Sequence, residues 1–192
     1  MSTRLILLGP PGAGKGTQAA RLASALGVPA ISTGDIFRAN VSEGTDLGRL
    51  AQKYMDAGEY VPDEVTNQMV AARLAEPDAA DGFLLDGYPR TKAQVDELDA
   101  MLQGGGHALS HVVELTADTE EVVQRLLGRA REQGRADDTE SVIRRRLEVY
   151  AEQTAPLVRL YEERGLLERV DGMGEVDEVT DRLLNALGVS GT

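Results

Sequence analysis

The apolar run Leu5-Ile6-Leu7-Leu8 passes without a break into Gly9-Pro10-Pro11-Gly12-Ala13-Gly14-Lys15-Gly16-Thr17. A short apolar run ending at glycine predicts a buried strand, and Ala19, Leu22, Ala23 and Leu26 within residues 17–26 predict an amphipathic helix. A strand that turns at once into a helix puts the glycine loop at the helix N-terminus, where unpaired backbone N–H groups and the helix dipole favour an anion. Gly9, Gly12, Gly14 and Gly16 let the backbone wrap closely around a phosphate, and Lys15 adds a mobile ammonium. Phosphate loops usually place Ser or Thr directly after the lysine to help hold magnesium. Gly16 stands there and the hydroxyl follows at Thr17, so the spacing predicts a metal held mainly by phosphates and water. A dinucleotide turn, G-x-G-x-x-G, requires glycine where Thr17 stands, although Asp35 lies near the ribose-binding distance.

The apolar segments 28–32, 83–85, 112–115 and 166–170 alternate with helical stretches, which predicts an α/β sandwich around a parallel sheet. Ligands of such sheets bind beyond the strands' carboxyl ends, where the loops after Leu8, Ile31, Leu85 and Leu115 emerge. Residues 35–77 read as a long helical insertion between the second and third strands. Residues 128–138, polar, arginine-rich and interrupted by Gly134, have the profile of a short lid before a long helix over 139–164. Asp137, Asp138 and Thr139 are alternative caps for that helix. At 192 residues the chain fits one domain, 1–192.

No basic region with a long apolar stretch opens the chain, and no 18-residue apolar window occurs, so a cytoplasmic protein is expected. With no cysteine, disulfides, a thiol nucleophile and cysteine-ligated zinc are excluded. A net charge of -12 argues against a general nucleic-acid surface, so an anionic ligand requires locally concentrated cations.

Such cations gather near the strand ends. Asp86-Gly87-Tyr88-Pro89-Arg90 follows the run 83–85: the carboxylate is placed to hold magnesium, directly or through water, and Arg90 to fork onto a second phosphate. Ser32-Thr33-Gly34-Asp35-Ile36-Phe37-Arg38 repeats the logic after the second strand. Arg125, Arg129, Arg131, Arg135 and Arg146 crowd into and around residues 128–138, whereas Arg144 and Arg145 read as a solvated helix face. His107 and His111 have no carboxylate at a ligand spacing and read as structural.

Together these motifs resemble the adenylate kinases, of the nucleoside monophosphate kinase family. The resemblance rests on GPPGAGKGTQ from Gly9 to Gln18, STGDIFR from Ser32 to Arg38, LDGYPRT from Leu85 to Thr91, and Asp137-Asp138. It implies a P-loop three-layer α/β sandwich with a five-stranded parallel sheet, an inserted AMP-binding segment at about 32–61 and a short, cysteine-free lid at about 128–138. It also implies magnesium-dependent transfer of a phosphoryl group from ATP to AMP, giving two ADP, in a cytoplasmic monomer without structural zinc.

The resemblance places ATP phosphates on Gly12, Ala13, Gly14, Lys15, Gly16 and Thr17, its adenine against Arg125 and the backbone near Gly174, and Arg129 on ATP. AMP falls to Thr33, Arg38, Glu59, Tyr60, Val61, Gly87, Tyr88, Pro89, Arg90 and Gln94, with the Gln94 amide pairing to adenine. Arg135 and Arg146 bridge both nucleotides, with Arg131 an alternative to Arg135. Lys15, Arg90, Arg129, Arg135 and Arg146 are the catalytic set and Asp86 the magnesium residue. The rival readings are a UMP or CMP kinase, and a P-loop protein that binds or hydrolyses ATP without an acceptor.

Overall fold

The computed structural model describes residues 2–135 and 139–189. Its elements run β1 (Arg4–Leu8), α1 (Lys15–Leu26), β2 (Ala30–Ser32), α2 (Thr33–Glu43), α3 (Asp46–Asp56), α4 (Asp63–Leu74), β3 (Phe83–Asp86) and α5 (Lys92–Gly104). They continue through β4 (His111–Thr116), α6 (Thr119–Gln133), α7 (Glu140–Val149), a π-helical turn (Tyr150–Thr154), α8 (Ala155–Glu163), β5 (Leu167–Asp171) and α9 (Val176–Ala186).

The five strands pair in the order β2-β3-β1-β4-β5, each neighbour parallel, as the alternation of segments predicts. Side chains of β1 alternate across the sheet. Leu5 and Leu7 join Leu84, Val113, Leu115 and Val170 under α1 and α9, whereas Ile6 and Leu8 join Ile31, Leu85, Val95, Leu98, Leu157 and Tyr161 under α5 and α8. Both faces are covered, which is why β1 reads as a continuous apolar run.

Two helical pairs stand out from this sandwich with small cores of their own. Phe37, Ala51 and Val61 hold the segment of α2 and α3 together. Val122, Val123, Leu126 and Ile143 join α6 to α7. Residues 128–133, expected as part of a short, polar, arginine-rich lid, are the last turns of α6, and Gly134 caps that helix at φ +61°. Val122, Val123, Leu126 and Leu127 anchor α6, and the helix continues past them through its arginines to Gln133, so polarity does not mark its end.

The long helix expected over 139–164 is α7 and α8 joined by the π-helical turn. Thr139 caps α7, its Oγ1 accepting from Val142 N at 3.4 Å; Asp137 and Asp138 lie outside the described residues. His107 is exposed on the connection after α5, and His111 opens β4. Among the described residues no helix is long and apolar enough to cross a membrane.

Candidate active site

A cleft of about 550 Å³ opens beyond the carboxyl ends of the strands, between the glycine loop, the α2–α3 segment, and the arm of α6 and α7. The loop reaches it because α1 starts immediately after Gly14, whose φ of +89° turns the chain into the helix. Gly12, at φ +83°, admits no side chain: a Cβ there would stand 2.8 Å from Leu126 Cγ, where α6 packs on the loop. The first turn of α1 carries no acidic residue of its own, so its positive end is turned to the cleft. Gly12, Gly14, Lys15, Gly16 and Thr17 line the cleft. Ala13 does not; its side chain is in the core and its N–H donates to Pro10 O at 3.1 Å.

Lys15 is half-buried and donates Nζ to Pro10 O at 3.2 Å. Desolvation lowers its ammonium to a pKa of about 8, Asp86 opposes the shift, and Arg90, Arg129 and Arg146 reinforce it. Four cations thus converge with one buried carboxylate. Asp86 sits at the end of β3, in register with Leu7 of β1 and Ser32 of β2, with Oδ2 facing Gly16.

A second cationic station lies across the cleft. Ser32 caps α2 by accepting from Asp35 N at 3.3 Å, and Arg38, one turn inside, pairs with Asp35 at 2.6 Å. Thr33 Oγ1 donates to Gly87 O at 2.9 Å, tying the end of β2 to the turn after β3. Gly87, at φ +82°, leaves room for both neighbours, since a Cβ would meet Arg90 NH2 at 2.7 Å and Thr33 Oγ1 at 2.9 Å. The Arg90 guanidinium lies over the Tyr60 ring, 5.1 Å from its centroid, a cation–π distance.

Gln94 lines this part of the cleft but is almost wholly buried. Its Oε1 accepts from Arg90 N at 2.7 Å and its Nε2 donates to Asp63 Oδ1 at 2.9 Å. One amide hydrogen and one lone pair are thereby committed inside the protein, leaving one of each for a base. Tyr88 is behind the cleft, fully buried, donating its hydroxyl to Asn67 Oδ1 at 2.8 Å. Pro89 and Val61 line the cleft, as does Glu59, whose carboxylate accepts from Arg145 Nε at 2.6 Å. Arg145 stays on a solvated face, as expected, and from there also joins α7 to the loop after α3.

The remaining arginines divide. Arg125, Arg129, Arg135 and Arg146 line the cleft; Arg131 does not, and is exposed in the last turn of α6. Arg125 donates to Glu121 at 2.8 Å and to Gly172 O at 3.5 Å, closing the cleft against the connection that follows β5. Gly174 lies on that connection, outside the cleft lining, with a φ of +101°. Sequence reasoning missed Thr154, Asp63 and Thr66. Thr154 and Thr66 line the cleft, while Asp63 collects hydrogen bonds from Gln94 and Thr91. A threonine in mid-helix gives no local signal, and Asp63 reads only as a favourable first-turn acid.

The family model described as adenylate kinase matches residues 7–166. A protein of Nocardioides named adenylate kinase is 66% identical over 186 residues, 97% of either chain. The adenylate kinase of Kocuria rhizophila is 64% identical over 185 residues, covering 96% of this chain and 98% of its own. That of Thermobifida fusca is 61% identical over 184 residues, 96% and 97% of the respective chains.

Proposed function

The chain belongs to the adenylate kinase family, and on that premise we propose that its cleft joins ATP to AMP and that the residues divide the work as follows. The activity is ATP:AMP phosphoryl transfer. The observation that carries the division is the pair of cationic stations in one cleft, Lys15 on the glycine loop and Arg90 with Arg38 across from it. A protein that only binds or hydrolyses ATP has no use for the second.

Gly12, Gly14, Gly16 and Thr17 receive the donor's phosphates with α1's N-terminus behind them. Ala13 contributes shape alone, its N–H being spent on Pro10. Arg125 packs against the donor base, with Gly174 on the adjoining connection, and Arg129 meets the donor's phosphates. Arg38, Thr33, Gly87, Pro89 and Arg90 seat AMP, with Glu59, Tyr60, Val61 and Gln94 around it and Tyr88 supporting from the core. Arg135 and Arg146 neutralise phosphates of both nucleotides.

An oxygen of the AMP phosphate attacks the γ-phosphorus of ATP as the bond from that phosphorus to the bridging oxygen breaks, giving ADP on each side. The attacking oxygen is already ionised at neutral pH, so no general base is required. Lys15 and the arginines stabilise charge spread over the transferring group, and the arm over the cleft excludes water.

Among the described residues no group of three or more acidic or histidine side chains could cage a metal. Asp86, a single buried carboxylate facing Gly16, fits magnesium held chiefly by phosphates and water. Bound there, magnesium neutralises the donor phosphates; Asp86 orients it and offsets the cations around Lys15. The segment at 32–61 acts as the AMP-binding unit and residues 128–138 as the lid, in a cytoplasmic monomer.

The test is magnesium-dependent diphosphate formation from ATP mixed separately with AMP, UMP, CMP and GMP. Strong turnover with AMP alone is expected. Turnover with a pyrimidine nucleotide, or loss of ATP without an acceptor, would overturn the assignment.

A further inference from the structure

Thr154 closes the π-helical turn between α7 and α8. Ala155 N donates to Tyr150 O across this turn, one residue wider than an α-helical bond, and Pro156 follows without an N–H to resume the regular ladder. The widened turn directs the Thr154 side chain inward, where it is 2% exposed at the cleft wall.

Its hydroxyl has two partners: Arg90 O at 2.8 Å and Tyr60 OH at 2.6 Å. A carbonyl only accepts, so the single hydroxyl proton of Thr154 goes to Arg90, and Tyr60 must be the donor to Thr154. The chain of bonds runs one way, from Tyr60 through Thr154 to the Arg90 backbone. Arg90 is also fixed by its N–H on Gln94 Oε1, and its guanidinium rests on the ring of the same Tyr60. Backbone carbonyl, backbone N–H and guanidinium are thus held from three separate elements. Two of those three holds pass through Tyr60 or Thr154.

We propose that Thr154 is a positioning residue for Arg90, setting the place of that guanidinium at the acceptor phosphate through its hydroxyl. The inference rests on the reading of Arg90 as an AMP-phosphate ligand. It adds a mechanical link: Arg146, on the cleft about two helical turns before Thr154, shares one helical run with it. The position of α7 and the position of Arg90 are therefore set together, at the junction of the two nucleotide stations.

The test compares Thr154→Val, which keeps the shape and loses the hydroxyl, with Thr154→Ser, which keeps the hydroxyl. Thr154→Val raises KM for AMP about tenfold, corresponding to about 1.4 kcal/mol, and leaves KM for ATP within about twofold. Thr154→Ser restores KM for AMP to within about threefold of the parent value. Adding Tyr60→Phe to Thr154→Val costs nothing further, because the phenol's partner is already gone. Equal changes for both nucleotides, a lower Tm with both KM values unchanged, or no rescue by serine would overturn the proposal. Arg90→Ala is run beside them. If it weakens AMP use while Thr154→Val does not, Thr154 alone is misassigned; if it leaves AMP use intact, the reading of Arg90 falls as well.

Discussion

Arg145 and Glu59 meet at 2.6 Å, joining α7 to the loop that follows α3. Gly58, beside this pair, adopts a φ of +74°, and a Cβ there would stand 3.0 Å from both Arg145 Cβ and Val142 O, so the backbones touch where the ions pair. The two side chains are 38% and 37% exposed, and Arg145 shares its charge with Glu148 at 3.2 Å. An ion pair of that exposure is screened by solvent and contributes little to stability. A double-mutant cycle of Arg145→Ala and Glu59→Gln, read by thermal unfolding, is expected to give a small coupling that shrinks with added salt. A large coupling insensitive to salt would mean that the pair is desolvated.

Arg90→Ala should separate the two stations. Charge-assisted bonds to a phosphate contribute about 1.5–3 kcal/mol, so KM for AMP should rise about 10- to 100-fold while ATP affinity changes little. Steady-state kinetics with each nucleotide varied, together with ATP binding to the variant without AMP, make the comparison. Equal loss for both nucleotides would count against two separate stations.

Gly48 sits where α3 crosses α2, and a Cβ there would stand 2.1 Å from Asn40 O and 2.6 Å from Val41 N. These are backbone atoms that no rotamer change can move. Gly48→Ala must push the helices apart, opening the small core of Phe37, Ala51 and Val61, at a cost of about 1–3 kcal/mol or more. Thermal unfolding should show a lower Tm, with AMP use impaired more than ATP binding because Thr33 and Arg38 ride on α2. An unchanged Tm would show that the crossing relaxes without cost.

How far the sequence reveals the fold depends on whether a feature is local. Leu5–Leu8 with the glycine loop is legible because strand, turn and helix are adjacent in the chain, and buried parallel strands are apolar throughout. The arginines of residues 128–133 mislead, since α6 continues through them, while Val122, Val123 and Leu126 pack on Ile143 from beyond Gly134. Likewise the commitment of Gln94 to Asp63 and Arg90, the retreat of Tyr88 into the core, and the inward turn of Thr154 arise from contacts between distant segments. Residue type gives the chemistry available at these positions; tertiary packing decides how much of it remains for a ligand.

Lys15 carries the sharpest pH dependence. Desolvation, with Arg90, Arg129 and Arg146 acting against Asp86, brings its pKa down to about 8. A bound polyphosphate stabilises the ammonium and must raise that value. Well below pH 8 the lysine is protonated with or without nucleotide, and binding takes up almost no proton there. Above it the free lysine is largely neutral and the bound one charged, so binding takes up most of a proton and affinity falls with rising pH, by up to about tenfold per unit. Phosphate groups, with a second pKa of about 6, are ionised throughout this range and do not contribute. Calorimetry of ATP binding at pH 8.5 in buffers of different ionisation enthalpy should therefore report proton uptake that is lost in Lys15→Met. That variant should also lose turnover while keeping its Tm close to or above the parent value, since the penalty for holding a charged lysine in the cleft disappears with it. Absence of proton uptake in the parent protein at pH 8.5 would show that the ammonium is already fully charged before nucleotide binds, and that desolvation and the neighbouring arginines do not depress its pKa.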